Sequence, residues 1–129
     1  MERVQGIGGI FFKAADPKAL GAWYREHLGI DVEDWGGSSI RWSAQAGADT
    51  ASTVWSPFKA DTTYFEPSKA SFMVNFRVSD LDAMLAQLRA AGADVQDGLE
   101  ESDFGRFAWV VDPEGNKIEL WEPPELGGS

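Results

Sequence analysis

The segment FFKAADPKALGAWYREHLGIDVED, residues 11–34, is answered by NFRVSDLDAMLAQLRAAGADVQD, residues 75–97. A displacement of 64 superposes Phe12 on Phe76, Lys13 on Arg77, Asp16 on Asp80 and Arg25 on Arg89. After a one-residue slip the displacement is 63, and Gly29 falls on Gly92, Val32 on Val95 and Asp34 on Asp97. Further on, TVWSP matches ELWEP at a displacement of 66, Trp55 on Trp121 and Pro57 on Pro123. A chain that repeats itself once in this way has few folds open to it. Each copy is a supersecondary unit that must bury its apolar face against its own helix and its partner copy.

Each copy runs strand, helix, then three shorter strands. The first strands are expected at Val4–Ala14 and Ser71–Val78. Asp16 is placed to cap the first helix, with Pro17 at the first helical position, where a missing N–H costs nothing. Leu20, Trp23, Tyr24 and Leu28 recur at helical spacing, and Gly29 ends the run. Asp80, Leu81, Met84, Leu85, Leu88 and Gly92 play the same parts in the second copy. Strands then follow at about Asp94–Gln96, Phe104–Val111 and Asn116–Trp121, the last two joined by the turn DPEGN. The units span about residues 4–59 and 71–123. The polar, turn-prone stretch 60–70 joins them as an ordered linker carrying Tyr64 and Phe65. With 129 residues the chain fits one domain, 1–129, since neither half is large enough to be comfortable alone.

Charge and composition exclude several roles. The formal net charge is −10, from 21 acidic and 11 basic residues, which disfavours nucleic acid and anionic membranes as partners. There is no cysteine, so disulfides, thiol catalysis and thiolate metal sites are out. No apolar run reaches membrane-spanning length and the first residues carry no signal-peptide core, so a cytoplasmic location is expected. Six tryptophans and eight phenylalanines are enough to fill a core or to line a pocket for a flat ligand. The one histidine, His27, sits at the end of the first helix, which leaves no Ser-His-Asp arrangement. GGSS at residues 36–39 is too short for a phosphate cradle and lacks its lysine. GLEESDFGRF, residues 98–107, reads as a solvated loop, with a flap as the alternative.

Taken in order, DPKALGAWYREHLGI, NFRVSDLDAMLAQLRAAGADV and DPEGNKIELWEP resemble the glyoxalase / bleomycin-resistance / extradiol-dioxygenase superfamily, also called the vicinal oxygen chelate superfamily. The likeness runs from about Val4 to Glu122. It implies an α+β fold in which two tandem βαβββ units form one open concave eight-stranded sheet, a cup with helices outside. It also implies a homodimer, the usual state of such proteins. Metal-using members carry four ligands on the first and last strand of each unit. Carried over by position, these are Gly9, Thr53, Met73 and Glu119. Only Glu119 is a good ligand for a divalent metal, so no metal or other cofactor is expected. Glyoxalase or ring-cleaving chemistry, which needs that metal, is disfavoured accordingly.

Side chains alternate along a strand. If Glu119 faces the cup, Lys117 and Trp121 face it too. The same rule adds Phe11 to Gly9, Trp55 to Thr53, and Asn75 to Met73. Pairing across DPEGN sets Trp109 opposite Glu119. The expected ligand-binding set is therefore Phe11, Thr53, Trp55, Met73, Asn75, Trp109, Glu119 and Trp121, a mostly apolar pocket with a few polar points. Glu119 either pairs with Lys13, Arg77 or Arg106, or stands beside the indoles as a place for a cationic or aromatic molecule. Two functions stay open. One is a binder of a small organic molecule, like the drug-resistance members. The other is an enzyme using Glu119 as catalytic base or metal ligand.

Overall fold

The computed structural model describes residues 1–41 and 52–124. Its centre is the antiparallel pairing of β1 (Gly6–Ala14) with β4 (Phe72–Arg77), in which Phe11 lies opposite Met73. Outward from this pair each copy adds its own last strand in parallel. β3 (Ser52–Lys59) joins β1, and β8 (Lys117–Glu122) joins β4. The sheet continues to β2 (Ser38–Arg41) beyond β3, and to β7 (Gly105–Val111) and β5 (Asp94–Val95) beyond β8. β6 (Glu100–Ser102) pairs with β7. The result is one open, mixed, eight-stranded sheet in the order β2-β3-β1-β4-β8-β7-β5, with β6 off this path.

The duplication is therefore visible in the pairing, but the copies share the strands unequally. Among the described residues the first contributes three and the second five. Of the second copy's five, the one beyond the four expected is β6. It turns the stretch 98–107, expected as a solvated loop, into a hairpin with β7. Gly105 adopts φ +120 there, a region closed to most side chains.

Both helices, α1 (Pro17–Leu28) and α2 (Leu81–Ala90), lie on one face of the sheet. Their starts are set by the expected caps: Asp16 accepts from the Ala19 N–H and Asp80 from the Ala83 N–H, each at 3.0 Å. Gly29 ends α1 with φ +71, a left-handed C-cap. Among the described residues no helix is long and apolar enough to cross a membrane.

The helices differ in how they are buried. α2 sinks Leu81, Met84 and Leu85 onto Ala108, Val110 and Leu120 of β7 and β8. α1 buries only Gly21 completely; Trp23 is 49% and Leu28 62% exposed. Its main aromatic contact runs through Tyr24, whose ring lies 4.7 Å from that of Trp55. The second half thus holds the better-filled helix-side core. Leu85→Ala should cost about 2–5 kcal/mol of unfolding free energy, as large-to-small changes in filled cores do. Leu28→Ala should stay within about 0.5 kcal/mol. Urea denaturation of the two variants checks the contrast.

Candidate functional site

The turn between β7 and β8 is locked by one side chain. Asp112 Oδ1 accepts from the N–H groups of Glu114 and Asn116, both at 2.9 Å, and Oδ2 accepts from Asn116 Nδ2 at 3.0 Å. These bonds hold the Asp112 carboxyl below the usual aspartate range. The turn fixes the hairpin register, and Trp109 pairs with Glu119, as the alternation predicts. Next door, β4 and β8 pair in parallel with Asn75 beside Glu119.

Glu119 consequently points away from the helices and is 2% exposed. Its carboxylate is held by three uncharged donors. Asn75 Nδ2 donates to Oε1 at 2.7 Å, Trp109 Nε1 donates to Oε2 at 2.9 Å, and the Tyr64 hydroxyl also donates to Oε2. This answers the need of a buried carboxylate for partners without a salt bridge. Arg106, one of the expected partners, pairs instead with Asp82, Glu101 and Glu122. Asn75 commits its amide group to Glu119, and its Oδ1 is buried with no donor among the described residues. That oxygen faces Gly8, where a Cβ would collide with it and would stand 2.9 Å from the Trp121 ring.

The linker supplies what the strands do not. Residues 60–70 fold back over the helix-free face, and Phe65 there is wholly buried, packed with Met73 and Trp109. Tyr64 stacks on Phe58, ring centroids 5.6 Å apart and 17° between planes, and meets Trp109 edge-on. Lys117 Nζ donates to the Tyr64 carbonyl at 2.7 Å. The same ammonium lies 5.3 Å from the ring centroids of both Tyr64 and Trp109. The place expected to attract a cationic ligand is therefore filled by the chain's own lysine. Burial, and then the charge of Glu119, pushes the Tyr64 phenol above its ordinary range. Burial lowers the Lys117 ammonium, with Glu119 opposing the shift.

Six of the expected residues share this face: Phe11, Met73, Asn75, Trp109, Glu119 and Trp121. Trp121 stacks on Phe107 and donates to the Phe104 carbonyl at 2.7 Å, which ties the β6–β7 turn to the face. Thr53 and Trp55 do not share it. β3 runs parallel to β1 with Phe11 beside Ser56 and Lys13 beside Phe58, so Val54, Ser56 and Phe58 take the helix-free side. Trp55 faces the helices between Phe12 and Tyr24, and Thr53 follows it by alternation. The physical reason is register: Asn75 beside Glu119 corresponds to Phe11 beside Ser56. The true displacement in the last strand is thus 63, the value already found after the helix. The resemblance of TVWSP to ELWEP hid this. Tyr64 and Phe65 were visible only as two aromatics in a polar linker.

The family's four metal positions do not suit a divalent ion here. Gly9 has no side chain, Ser56 replaces Thr53 on this face, and Met73 is sealed beneath Phe65. Glu119 already receives three donors. His27 lies on α1, its Nδ1 3.0 Å from the Trp23 carbonyl. Among the described residues no group of three His, Cys, Asp or Glu is placed to hold a metal.

Tyr64→Phe should destabilise the fold by about 1–3 kcal/mol, because it removes a donor from a buried carboxylate. It should also change the alkaline limb. In the unfolded chain a phenol ionises near pH 10, while the folded chain holds the Tyr64 proton to higher pH. The folded state then binds more protons, so this contribution is complete below about pH 10 and is lost as pH rises beyond it. Lys117, depressed in the folded state, acts with the opposite sign up to the ordinary lysine range. Thermal melts from pH 8 to 11 should show the wild-type excess over Tyr64→Phe shrinking above about pH 10.

With the site described, its relatives can be compared. Among solved structures, methylmalonyl-CoA epimerase from Mycobacterium tuberculosis is 25% identical, covering 95% of this chain and 90% of that one, with TM-score 0.61. A variant of the Streptomyces coelicolor methylmalonyl-CoA epimerase, in complex with 2-nitronate-propionyl-CoA, is 19% identical over 95% and 100% of the chains, TM-score 0.69. A glyoxalase/bleomycin resistance protein/dioxygenase superfamily member from Vibrio splendidus 12B01 is 14% identical over 95% and 99%, TM-score 0.58. The latter two likenesses speak to the fold alone. A comparison with curated proteins returns no match. The family model for the glyoxalase-like domain matches residues 9–121, which takes in both copies of the repeat and every residue of the Glu119 cluster, and the chain belongs to that family.

Proposed function

We propose that this protein binds a small, uncharged, flat organic molecule on the helix-free face and does not turn one over through Glu119. The observation that carries the reading is the state of that carboxylate. Both its oxygens are engaged by Asn75, Trp109 and Tyr64, and it is buried. Beside the Tyr64 plug, a cleft of about 420 Å³ remains open, lined by Phe11, Trp35, Val54, Ser56, Pro57 and Phe58. Its size and its apolar walls with one hydroxyl suit a small-molecule pocket.

The epimerase relatives suggest the competing reading. Epimerisation beside a thioester carbonyl needs a base to take a proton from one side and an acid to return it to the other. On this face Glu119 is capped by Tyr64, and Tyr64 is held as a donor by its raised pKa. That supports binding over turnover. The test is methylmalonyl-CoA in D₂O, with and without Mn²⁺ or Co²⁺, followed by NMR at C2, together with a tryptophan-fluorescence titration with naphthalene. Saturable naphthalene binding, weakened at least about tenfold by Ser56→Trp (1.4 kcal/mol), and no exchange above background are expected. C2 exchange that disappears in Glu119→Gln would establish the enzyme instead.

A further inference from the structure

Tyr64 is held as a ligand is held. Its hydroxyl donates to a buried carboxylate, one face of its ring stacks on Phe58, and its ring meets Trp109 edge-on. Each of these contacts belongs to a strand. The phenol itself comes from the linker. The structure therefore already contains a phenol seated in the site, and we infer that the cluster of Glu119, Trp109 and Phe58 is a binding site for a neutral hydroxyaromatic molecule that displaces the Tyr64 side chain. The inference deepens the proposed function and rests on it.

The geometry permits the exchange without unfolding the linker. The backbone beside the ring is anchored separately: Lys117 holds the Tyr64 carbonyl, and Phe65 is wholly buried. The ring can swing out about its own side-chain torsions while these anchors stay. An incoming phenol regains what Tyr64 gives up, the bond to Glu119 and the contacts with Phe58 and Trp109. A single ring gains nothing further to offset its loss of free motion, so its affinity for the wild type is weak. A second ring does gain. Phe58, which stacks on Tyr64, also lines the cleft with Phe11, Val54 and Ser56. A ligand with its hydroxyl at Glu119 and a second ring over that cleft buries apolar surface that Tyr64 never covers.

The charges select the class. A carboxylate or phenolate would meet Glu119 with no proton to donate. A cation would meet Lys117, whose ammonium already sits over the Tyr64 and Trp109 rings. A neutral hydroxyl on an aromatic ring satisfies both neighbours. A ring without the hydroxyl would leave Glu119 one donor short.

The experiment uses p-cresol, the tyrosine side chain as a free molecule, with toluene, 4-hydroxybiphenyl and naphthalene as comparisons. In Tyr64→Ala, p-cresol should bind at least about tenfold more tightly than toluene, the margin of one hydrogen bond to a charged group. 4-Hydroxybiphenyl should bind Tyr64→Ala at least about tenfold more tightly than wild type, since the internal competitor is gone. The wild type gives a reading that does not depend on that variant folding. The chain has two tyrosines, Tyr24 and Tyr64, so ring-labelled tyrosine gives two NMR spin systems, which Tyr64→Phe assigns. Saturation with 4-hydroxybiphenyl should move the Tyr64 ring signals to the position of a solvated tyrosine and leave Tyr24 in place. Equal affinity of Tyr64→Ala for p-cresol and toluene, or a Tyr64 signal unmoved by 4-hydroxybiphenyl, overturns the inference. Naphthalene has no hydroxyl to offer Glu119 and should bind the Phe11–Ser56 cleft with Tyr64 still seated; that binding together with a Tyr64 signal unmoved by 4-hydroxybiphenyl overturns the inference, yet leaves the proposed function standing.

Discussion

A buried carboxylate must find donors or it cannot stay ionised and buried. Glu119 finds them on three separate elements: Asn75 on β4, Trp109 on β7 and Tyr64 in the linker. The bonds also dictate local structure. They fix how Asn75 presents its amide, since a reversed amide would face oxygen with oxygen. They draw Tyr64 down onto the sheet, and Phe65 follows into the space above Met73. A single acidic residue in the last strand thus organises the whole helix-free side of the second half.

The linker can reach that far because the topology gives it slack. β3 and β4 flank β1, and the end of β3 and the start of β4 lie at the same end of the sheet. The gap is two strand spacings, about 10 Å. Residues 60–70 could span about 36 Å if extended. The surplus folds inward, where Phe65 contributes about 1.5–3 kcal/mol by leaving water. Among the described residues nothing comparable covers Phe11, Val54 and Ser56 in the first half, and the cleft lies there. Duplication supplied two equivalent faces; one linker can plug only one of them.

Much of the fold was legible because it rested on local chemistry. Asp16 and Asp80 announce helix starts, Gly29 a stop, and Asp112 with Gly115 a tight turn, each through bonds made within a few residues. Alternation from that turn was enough to set Trp109 opposite Glu119. The failures needed information from further away. Trp55 looked like the counterpart of Trp121 because both precede a proline by two residues, yet a parallel pairing with β1 turns it to the helices. The partner of Glu119 was sought among the cations, since opposite charge is the simplest answer to burial. Nothing local in ADTTYFEPSKA says that its tyrosine reaches a carboxylate in a strand whose sequence lies more than fifty residues away.

The net charge of −10 is a poor guide to this face. Lys117 lies beside Glu119 in the same strand direction, with its ammonium over two rings and its bond to the Tyr64 carbonyl. Lys13 approaches Phe65 from the other side, its ammonium 5.8 Å from the ring centroid. Three of the acids, Asp82, Glu101 and Glu122, gather elsewhere on the Arg106 guanidinium, while the charges of Glu100 and Glu66 oppose the lowering of Lys117. Long-range attraction therefore favours cations approaching the molecule, while the residues that would touch them present a cation already in place. Affinity at short range is set by desolvated contacts rather than by the distant field, which salt screens over about 8–10 Å. What this face presents at short range is ring faces and a carboxylate that accepts donated protons, neutral groups held in place by a charged one.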